Sequence, residues 1–545
     1  MKRNFIPDAD RRAFLKSAGL VGGGLLLPGL ATATPSSALD QPRIADTWAD
    51  ASAHGIVNDG RTLNTEAIDS LIARLAAAGG GTLYFGPGDY LTGPIHLRSN
   101  ITLYLEAGAT LRFSENFDDY LPMVPTRFQG LGFNGFSPLI YAHNVKNIAI
   151  VGRGTVDGRG AVWWDYQLKL RAQAKLTPDH PPTSKWQDLT RSLNEQPLEQ
   201  LGFMRPPLLQ TLNTGNVRLQ GVHFVNSPFW TLHFVESENI VVDGIQVTTP
   251  DSPNTDGINP ESSRNVHIAN CHIHTDDDCV TIKAGKNAWG RAHASACENI
   301  TITNCVMTAG AAGVGIGSEM SGGVRRVTVS NCVFDGTGHG VHIKSVRGRG
   351  GIVEDIAFSN IVMHNIHRHP AIHLNLKYWT ATAPAAVDEG TPAFRNISFT
   401  NIRGSGLRRA VDLAGLEERF MENISFDGLN LEAEEGIVAA EVDGLRFSTV
   451  RLVIARGPAV SCRNVERLMI DGLDCQQDDA NVPIVQLDGV RHAALSRIAP
   501  FTKSDTTLSV SGSNSRSIRF SDLSVPDQSE SVKLAPDVPA GAVTP

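Results

Sequence analysis

A short β-rich unit that begins with asparagine recurs along much of the chain. The clearest copies are NIAIVGRGTVDG from Asn147, NVRLQGVHFVNS from Asn216, NIVVDGIQVTTP from Asn239, NVHIANCHIHT from Asn265, NITITNCVMTAG from Asn299, NISFTNIRGSG from Asn396 and NISFDGLNLEA from Asn423. Each copy holds an alternating strand, a polar turn and a second alternating strand, so its apolar side chains point to one side. One unit cannot bury that side alone, whereas stacked units can, and the repeat therefore predicts a solenoid.

The spacing of the copies distinguishes between kinds of solenoid. Through the middle of the chain the copies begin about 23 to 34 residues apart, and larger insertions separate the others. Leucine-rich and ankyrin arrays have overlapping periods, but they need a helix in each repeat, and no helical apolar pattern recurs here. The repeat therefore predicts an all-β chain folded as a parallel β-helix.

A helical pattern precedes the repeats. Between Asn64 and Ala78 one helical face carries the apolar residues Ile68, Leu71, Ile72 and Leu75. Asn64 or Thr65 suits the N-cap. We expect this helix to cover the open end of the solenoid and to protect its exposed strand edge.

Composition marks the limits of the repeat domain. From Trp163 to Pro207 a polar insertion interrupts the repeat and predicts a loop beside a surface cleft. From Pro526 onward the chain is rich in Pro, Ser and Ala, which predicts a disordered tail over 526–545. We therefore expect one β-helix domain over residues 39–525.

The amino terminus resembles a twin-arginine export signal. Arg11 and Arg12 precede a Gly-rich apolar run from Ala18 to Leu30, and small residues around Ala33 or Ala38 offer a cleavage site. The run is shorter than the roughly 20 apolar residues that a membrane span needs. We expect residues 1–38 to be removed and the mature protein to be periplasmic or secreted. An uncleaved leader or anchor is the alternative.

Charge and cysteine usage limit the partners. A formal net charge of -8 disfavours nucleic acid, which requires a broad positive surface. Five of the 7 cysteines follow the spacing of apolar positions, which predicts mostly buried thiols, and no Cys/His spacing suggests a structural metal. After signal cleavage we expect a monomer with no membrane partner.

Three aspartates are spaced so that one precedes an adjacent pair by close to one coil. Asp256 lies in NTDGIN, and Asp277 with Asp278 follows in TDDDCV. Equivalent positions on successive coils stack about 4.8 Å apart, so the three acids should converge on one outer face. Glycoside hydrolysis needs such a cluster, with one carboxyl protonated and another ionised, and crowding raises one pKa. Solvated or turn-capping acids and a calcium site are the alternatives.

From about His54 to at least Arg349 the chain resembles the polygalacturonases of glycoside hydrolase family 28. The matching segments include, in family order, VNDGRTLNTEAI, GRGTVDGRGAVWW, SPFWTLH, NTDG, DDC, IGSEMSGG and IKSVRGRGG. The resemblance implies a right-handed parallel β-helix that hydrolyses pectic, α-linked galacturonate chains with inversion and without a metal or cofactor. It also implies that Asp277 is the general acid and that Asp256 and Asp278 activate water.

Two departures from the family pattern affect the binding groups. Alanine replaces the histidine of a Gly-His-Gly segment before IGSE, and His342 stands where an Arg-x-Lys clamp has arginine, although Lys344 remains. An arginine fork binds both oxygens of a carboxylate, which histidine does not. We hypothesise that the sugar bound here is not plain galacturonate, or that Arg347 or Arg349 supplies the missing charge. The predicted substrate-binding residues are Lys344, His342, Asn254, Arg347, Arg349 and Tyr378.

Three functions follow from these patterns. The first is hydrolysis of galacturonate chains. We expect exo-action, because the insertion from Trp163 to Pro207 is expected to close one end of the cleft. The second is hydrolysis of rhamnogalacturonan or xylogalacturonan, which His342 favours. The third is carbohydrate binding without catalysis, after loss of the family histidine. His339, in a Gly-His-Gly segment that follows IGSE, is expected in a turn.

Overall fold

Parallel strands stacked coil upon coil make up most of the described chain. The computed structural model describes residues 47–176, 205–378, 383–501, 504–523 and 530–545. Within these ranges every strand pairing is parallel except that of one antiparallel hairpin, formed by Val124–Phe128 and Leu131–Gly135. The parallel β-helix predicted from the asparagine-led repeat is confirmed.

The strands align in three columns, and each column is one sheet of the β-helix. The first sheet consists, in stacking order, of Trp48–Asp50, Gly81–Phe85, Ile101–Leu105, Lys146–Gly152, Gly215–Gln220, Glu238–Asp243, Arg264–Ala269, Cys297–Thr303, Val324–Asp335, Ile352–His364, Ala393–Ala414, Met421–Gln477, Arg491–Pro500, Arg516–Leu523 and Val543–Thr544. The second sheet consists of Gly88–Thr92, Ala109–Phe113, Thr155–Asp157, His223–Val225, Gln246–Thr249, His272–Thr275 and Val306–Ala309, and it continues into the later long strands.

The third sheet carries the candidate site. Its strands are Ile95–His96, Ile140–His143, Leu209–Leu212, Leu232–Val235, Ile258–Glu261, Val280–Ile282, Ala312–Gly317, His339–Lys344 and Pro370–Asn375. Parts of Ala393–Ala414 and Met421–Gln477 extend it, followed by Val485–Asp488, Thr506–Ser511 and Glu530–Leu534. Because successive coils keep the same register, residues far apart in sequence lie side by side on this sheet.

The leading asparagines of the repeat form a ladder along the first sheet. Asn216, Asn239 and Asn265 all adopt a positive φ, a left-handed conformation that asparagine tolerates better than most residues. The side-chain Nδ2 of Asn239 donates to Oδ1 of Asn216 at 3.0 Å, and that of Asn265 donates to Asn239 at 3.0 Å. The residue that aligns the repeats therefore turns the chain and also joins each coil to the next.

Apolar side chains stack inside the coils in the same way. Phe358, Phe399, Phe426 and Phe447 form a continuous stack, with neighbouring ring centroids 4.9 to 5.1 Å apart. All cysteines of the chain lie in the described residues, where they are buried and form no disulfide with one another. The prediction of buried thiols at apolar positions is confirmed.

The described α-helices are α1, Thr65–Ala77; α2, Ala161–Leu176; and α3, Asn287–His293. Short 3-10 helices cover Ala51–His54 and Phe117–Tyr120. The predicted apolar face of α1 is buried and packs against the strands Gly81–Phe85 and Ile95–His96. Asn64 occupies the N-cap position, but its side chain bonds to the backbone of Val57 and Leu91 instead of capping the helix. No helix among the described residues is both long and apolar enough to span a membrane.

Two predictions at the limits of the domain need correction. The insertion predicted as a loop begins with α2, and residues 177–204 lie outside the described part. The tail predicted as disordered contains the strands Glu530–Leu534 and Val543–Thr544. These strands pair with Thr506–Ser511 and Arg516–Leu523, so coil stacking orders a segment whose composition is typical of disorder. Residues 1–38, the predicted export signal, lie outside the described residues.

Candidate active site

The third sheet brings Asp256, Asp277 and Asp278 together. Asp256 precedes the strand Ile258–Glu261, and the other two precede the next strand of the same sheet, Val280–Ile282. The backbone N–H of Gly257 donates to the carbonyl oxygen of Asp278 at 3.0 Å, which fixes the two turns side by side. The convergence expected from a spacing of one coil is therefore present.

Asp256 is buried, with 2% of its surface exposed. Its Oδ2 accepts hydrogen bonds from Asn259 Nδ2 at 2.9 Å and Thr281 Oγ1 at 3.2 Å, and Lys283 Nζ lies 3.7 Å away. Burial, followed by the negative charge of Asp277, raises the pKa of Asp256 to about 8, although Lys283 opposes this shift. Asp256 therefore tends to hold a proton in the free protein below about pH 8.

Asp277 is only partly buried, so part of its surface is accessible from outside the β-helix. Burial, followed by the negative charge of Asp278, raises the pKa of Asp277, while Lys344 and Lys283 lower it. Its Oδ2 accepts a hydrogen bond from Asn254 Nδ2 at 3.3 Å. A partly exposed carboxyl with a raised pKa can carry a proton to a bound substrate.

Asp278 is buried and paired with a cation. Its Oδ2 accepts a hydrogen bond from Lys344 Nζ at 2.7 Å, and its Oδ1 has no donor among the described residues. Burial lowers the pKa of Lys344, but the negative charges of Asp278, Tyr378 and Asp277 and the hydrogen bond to Asp278 together outweigh burial and raise it. Gly315 leaves room for this pair, because a Cβ there would lie 2.8 Å from Asp278 Oδ2. Asp278 and Lys344 therefore form a buried ion pair in the site.

A second buried ion pair supports the site from below. Lys283 Nζ lies 3.3 Å from Oε2 of Glu319 and 4.5 Å from the ring centroid of Trp230. Burial raises the pKa of Glu319, but Lys283, Arg349 and Lys286 outweigh it and lower that pKa to about 2. Neither Lys283 nor Glu319 is predicted as a site residue from the sequence, although Glu319 lies in the IGSE segment of the family pattern.

Arg347 and Arg349 are both engaged by other parts of the protein. Arg347 forms ion pairs with Glu418 at 2.5 Å and Glu417 at 3.1 Å. Arg349 is 5% exposed and donates to the carbonyl oxygen of Ser318 at 3.1 Å. The hypothesis that either arginine supplies the charge missing at His342 is therefore disfavoured, because Arg347 is already neutralised and Arg349 braces the backbone beside Glu319.

Asn254 and Tyr378 do lie beside the acids. Asn254 bonds to Asp277, and its Oδ1 accepts a hydrogen bond from Nη2 of the buried Arg205 at 3.1 Å. The ring centroid of Tyr378 lies 5.5 Å from Lys344 Nζ. The sequence did not predict Arg205 as a site residue, because it lies in the polar insertion from Trp163 to Pro207, which has no periodic pattern.

Histidines line the third sheet next to Lys344. His342 and His373 occupy the same register on neighbouring strands, and their rings are parallel, with centroids 5.0 Å apart. Burial, followed by the charge of Lys344, lowers the pKa of His342 well below its ordinary value, and burial also lowers that of His373. His342 is therefore neutral at pH 7 and adds no positive charge to the cleft.

His339 lies in a strand and not in the expected turn. It begins the strand His339–Lys344, is 6% exposed and lies beside Ala312 of the preceding coil. Ala312 is one of the alanines in the segment where the family pattern has histidine. The chain therefore places a histidine one coil beyond that segment.

A family model described as Glycosyl hydrolases family 28 matches residues 182–443. A probable polygalacturonase of Vitis vinifera is 32% identical over 375 residues, covering 66% of this chain and 70% of that protein. An endo-polygalacturonase of Pectobacterium carotovorum is 31% identical over 288 residues, covering 51% of this chain and 63% of the relative. The crystal structure of a hyperthermoactive exopolygalacturonase from Thermotoga maritima superimposes with a TM-score of 0.63 at 31% identity, covering 73% of this chain and 92% of that one.

Proposed function

Because the chain belongs to family 28 of the glycosyl hydrolases, we propose that it hydrolyses α-linked galacturonate chains of pectin through Asp256, Asp277 and Asp278. The observation that carries this proposal is the contrast between the three carboxyls. Asp277 is partly exposed and has a raised pKa, whereas Asp278 is buried and paired with Lys344 at 2.7 Å. One site therefore offers a proton donor and an ionised carboxylate, which glycoside hydrolysis requires.

In the proposed mechanism Asp277 protonates the glycosidic oxygen as the leaving sugar departs. A water on the opposite face of the sugar ring attacks the anomeric carbon, and Asp278 takes the proton of that water. Oδ1 of Asp278 is an unused acceptor among the described residues, which suits this role. Asp256, whose pKa is raised to about 8, binds the same water and orients it. Attack from the opposite face inverts the anomeric configuration.

Exo-action is part of the proposal. α2 covers the start of the insertion, and Arg205, which lies near its end, bonds to Asn254 beside Asp277. An insertion that returns next to the acids favours a cleft closed at one end. Exo-action predicts that monomer or dimer is the first product from a long galacturonate chain; a broad range of oligomers at early times would contradict it.

Rhamnogalacturonan or xylogalacturonan is the second candidate substrate. His342 supports it, since a buried neutral ring replaces the arginine fork that suits a galacturonate carboxylate. We expect His342→Arg to raise the ratio of kcat/KM for homogalacturonan to that for rhamnogalacturonan about 10-fold or more, as a charge-assisted hydrogen bond contributes roughly 1.5–3 kcal/mol. An unchanged ratio would argue against a role for this position in substrate choice.

Export by the twin-arginine route is proposed from Arg11 and Arg12. Replacing both arginines by lysine in the full chain should leave the protein in the cytoplasm of its host. Normal export of that variant would exclude the twin-arginine route.

Incubation with purified polymers tests the reaction itself. Homogalacturonan and rhamnogalacturonan oligosaccharides are each mixed with the purified protein, and reducing ends and ultraviolet absorbance are followed together. Hydrolysis predicts new reducing ends with no rise in absorbance, because only β-elimination leaves an unsaturated sugar. No cleavage of either polymer would refute both candidate substrates and leave a carbohydrate-binding protein.

A further inference from the structure

Three histidine rings meet on the third sheet beside the catalytic acids. His342 and His373 lie in register on neighbouring strands. The ring centroid of His339 lies 4.1 Å from that of His342 and 5.3 Å from that of His373. Each ring offers one nitrogen, and these three nitrogens lie within 4.8 Å of one another. The sequence does not predict this cluster, because His342 and His373 are 31 positions apart and no short motif joins them.

The hydrogen bonds leave ring nitrogens available for a ligand. His339 Nδ1 lies 2.8 Å from the carbonyl oxygen of Pro370. Since a carbonyl only accepts, Nδ1 carries the proton, and the lone pair of His339 is on Nε2. His342 Nε2 and His373 Nδ1 are buried and have no hydrogen-bond partner among the described residues. Buried polar atoms are normally paired, so two unpaired ring nitrogens in one cluster indicate a missing partner.

A metal ion is a partner that these histidine nitrogens could bind. Neutral imidazole is the commonest protein ligand of zinc, copper and nickel, and a backbone carbonyl often fixes the tautomer of a ligating histidine. Zn²⁺ binds nitrogens at about 2.0–2.1 Å, so the three rings need side-chain rotation to close around an ion. Three histidines leave a further coordination position for water or substrate.

The surrounding charges are mixed. Lys344 would repel a cation, but its charge is offset by the ion pair with Asp278. On the other side, Asp412 lies in register with His373 on the next strand and pairs with Arg409. We propose that His339, His342 and His373 form a binding site for a divalent transition-metal ion such as Zn²⁺. The bound ion would restore a positive charge to the part of the cleft where His342 replaces arginine.

Metal titration of the untagged full chain tests this site without relying on hydrolysis. Co²⁺ bound by imidazoles absorbs visible light, and Zn²⁺ displaces it, so both affinities can be measured. We expect one ion per chain and only nitrogen or oxygen ligands in zinc X-ray absorption. No saturable binding would overturn the proposal, and so would sulfur ligands, since the buried thiols would then hold the ion.

Matched histidine variants locate the site. His373→Ala should weaken metal binding by more than about 100-fold, because loss of an outer-shell partner alone costs 10–100-fold. His369→Ala is the control, since His369 stacks on His339 at 4.6 Å but is exposed and lies outside the three-nitrogen cluster. Near-ultraviolet circular dichroism checks folding, and His373→Gln replaces the alanine variant if that one unfolds. Wild-type affinity in a folded His373 variant would overturn the proposal.

Discussion

Asp256, Asp277 and Asp278 are identical side chains that differ in what surrounds them. Asp256 accepts hydrogen bonds from Asn259 and Thr281 in a buried position, Asp277 is partly exposed, and Asp278 is bound to Lys344. Burial and like charges favour the protonated form, whereas an ammonium at hydrogen-bond distance favours the ionised form. The division of labour in the proposed hydrolysis follows from these neighbours.

Replacing the proposed acid should abolish turnover. We expect Asp277→Asn to lower kcat by about 10²–10⁴-fold, the range that general acid catalysis contributes, with little change in the thermal midpoint. Asp276→Asn is the matched control, because Asp276 is adjacent but exposed. Reducing-end assays measure both variants. Full activity of Asp277→Asn, or an equal loss in Asp276→Asn, would refute the assignment.

Lys344 should set the alkaline limb of the pH profile. Its charge lowers the pKa of Asp277, the proposed general acid. Without this charge, Asp277 keeps its proton to a higher pH. Lys344→Met should therefore shift the alkaline limb of the profile of kcat/KM to higher pH, in addition to reducing activity. A lower rate with an unshifted profile would mean that Lys344 only binds substrate.

At the scale of the strand and turn, asparagine has two tasks in the coil ladder. Asn239 is held at positive φ and bonds to Asn216 and Asn265. Asn239→Gly tolerates the left-handed backbone conformation but loses the side-chain hydrogen bonds. Asn239→Ala loses the same hydrogen bonds and also strains the backbone. We expect both variants to have a lower thermal midpoint than the wild type. The midpoint should fall further for alanine, since the left-handed conformation costs an L-residue with a Cβ roughly 1–2 kcal/mol, a cost that glycine does not have. Equal midpoints in the two variants would contradict the backbone part of this argument.

The sequence predicts those elements that obey a local rule. The asparagine-led coils and the apolar face of α1 follow fixed periods, and the spacing between Asp256 and Asp277 is near one coil, so all three are readable without a structure. α2 was missed because its segment is polar and breaks the repeat. The strand Glu530–Leu534 was missed because pairing with Thr506–Ser511, not its own composition, orders it.

The same limit applies to the site. His373 reaches it because separate coils stack in register, and Arg205 reaches it through a hydrogen bond to Asn254; no spacing in the sequence encodes either contact. Lys283 and Glu319 form a buried pair whose partners lie 36 residues apart. The sequence thus predicts the acids, whose motifs are compact, better than it predicts the groups that set their protonation.

At the scale of the whole molecule, the buried Lys283–Glu319 pair links stability to pH. The pKa of Glu319 is about 2, below its ordinary value, so its contribution is present above about pH 4.3 and is lost as pH falls toward about 2. Glu319→Gln should cost on the order of 3 kcal/mol at pH 7. Thermal unfolding measured from pH 7 to pH 2 should show the difference between variant and wild type shrinking below pH 4.3; a difference that does not depend on pH would contradict this account.

The stereochemistry of the first product tests the central claim most directly. Proton NMR of a galacturonate oligosaccharide during the first turnovers distinguishes the two anomers of the released reducing end before they equilibrate. Direct attack by a water that Asp278 deprotonates and Asp256 orients predicts the β-anomer from an α-linked chain. An initial α-anomer would require a covalent intermediate, and an unsaturated sugar would require elimination. Either result would contradict the proposed hydrolysis by these three aspartates.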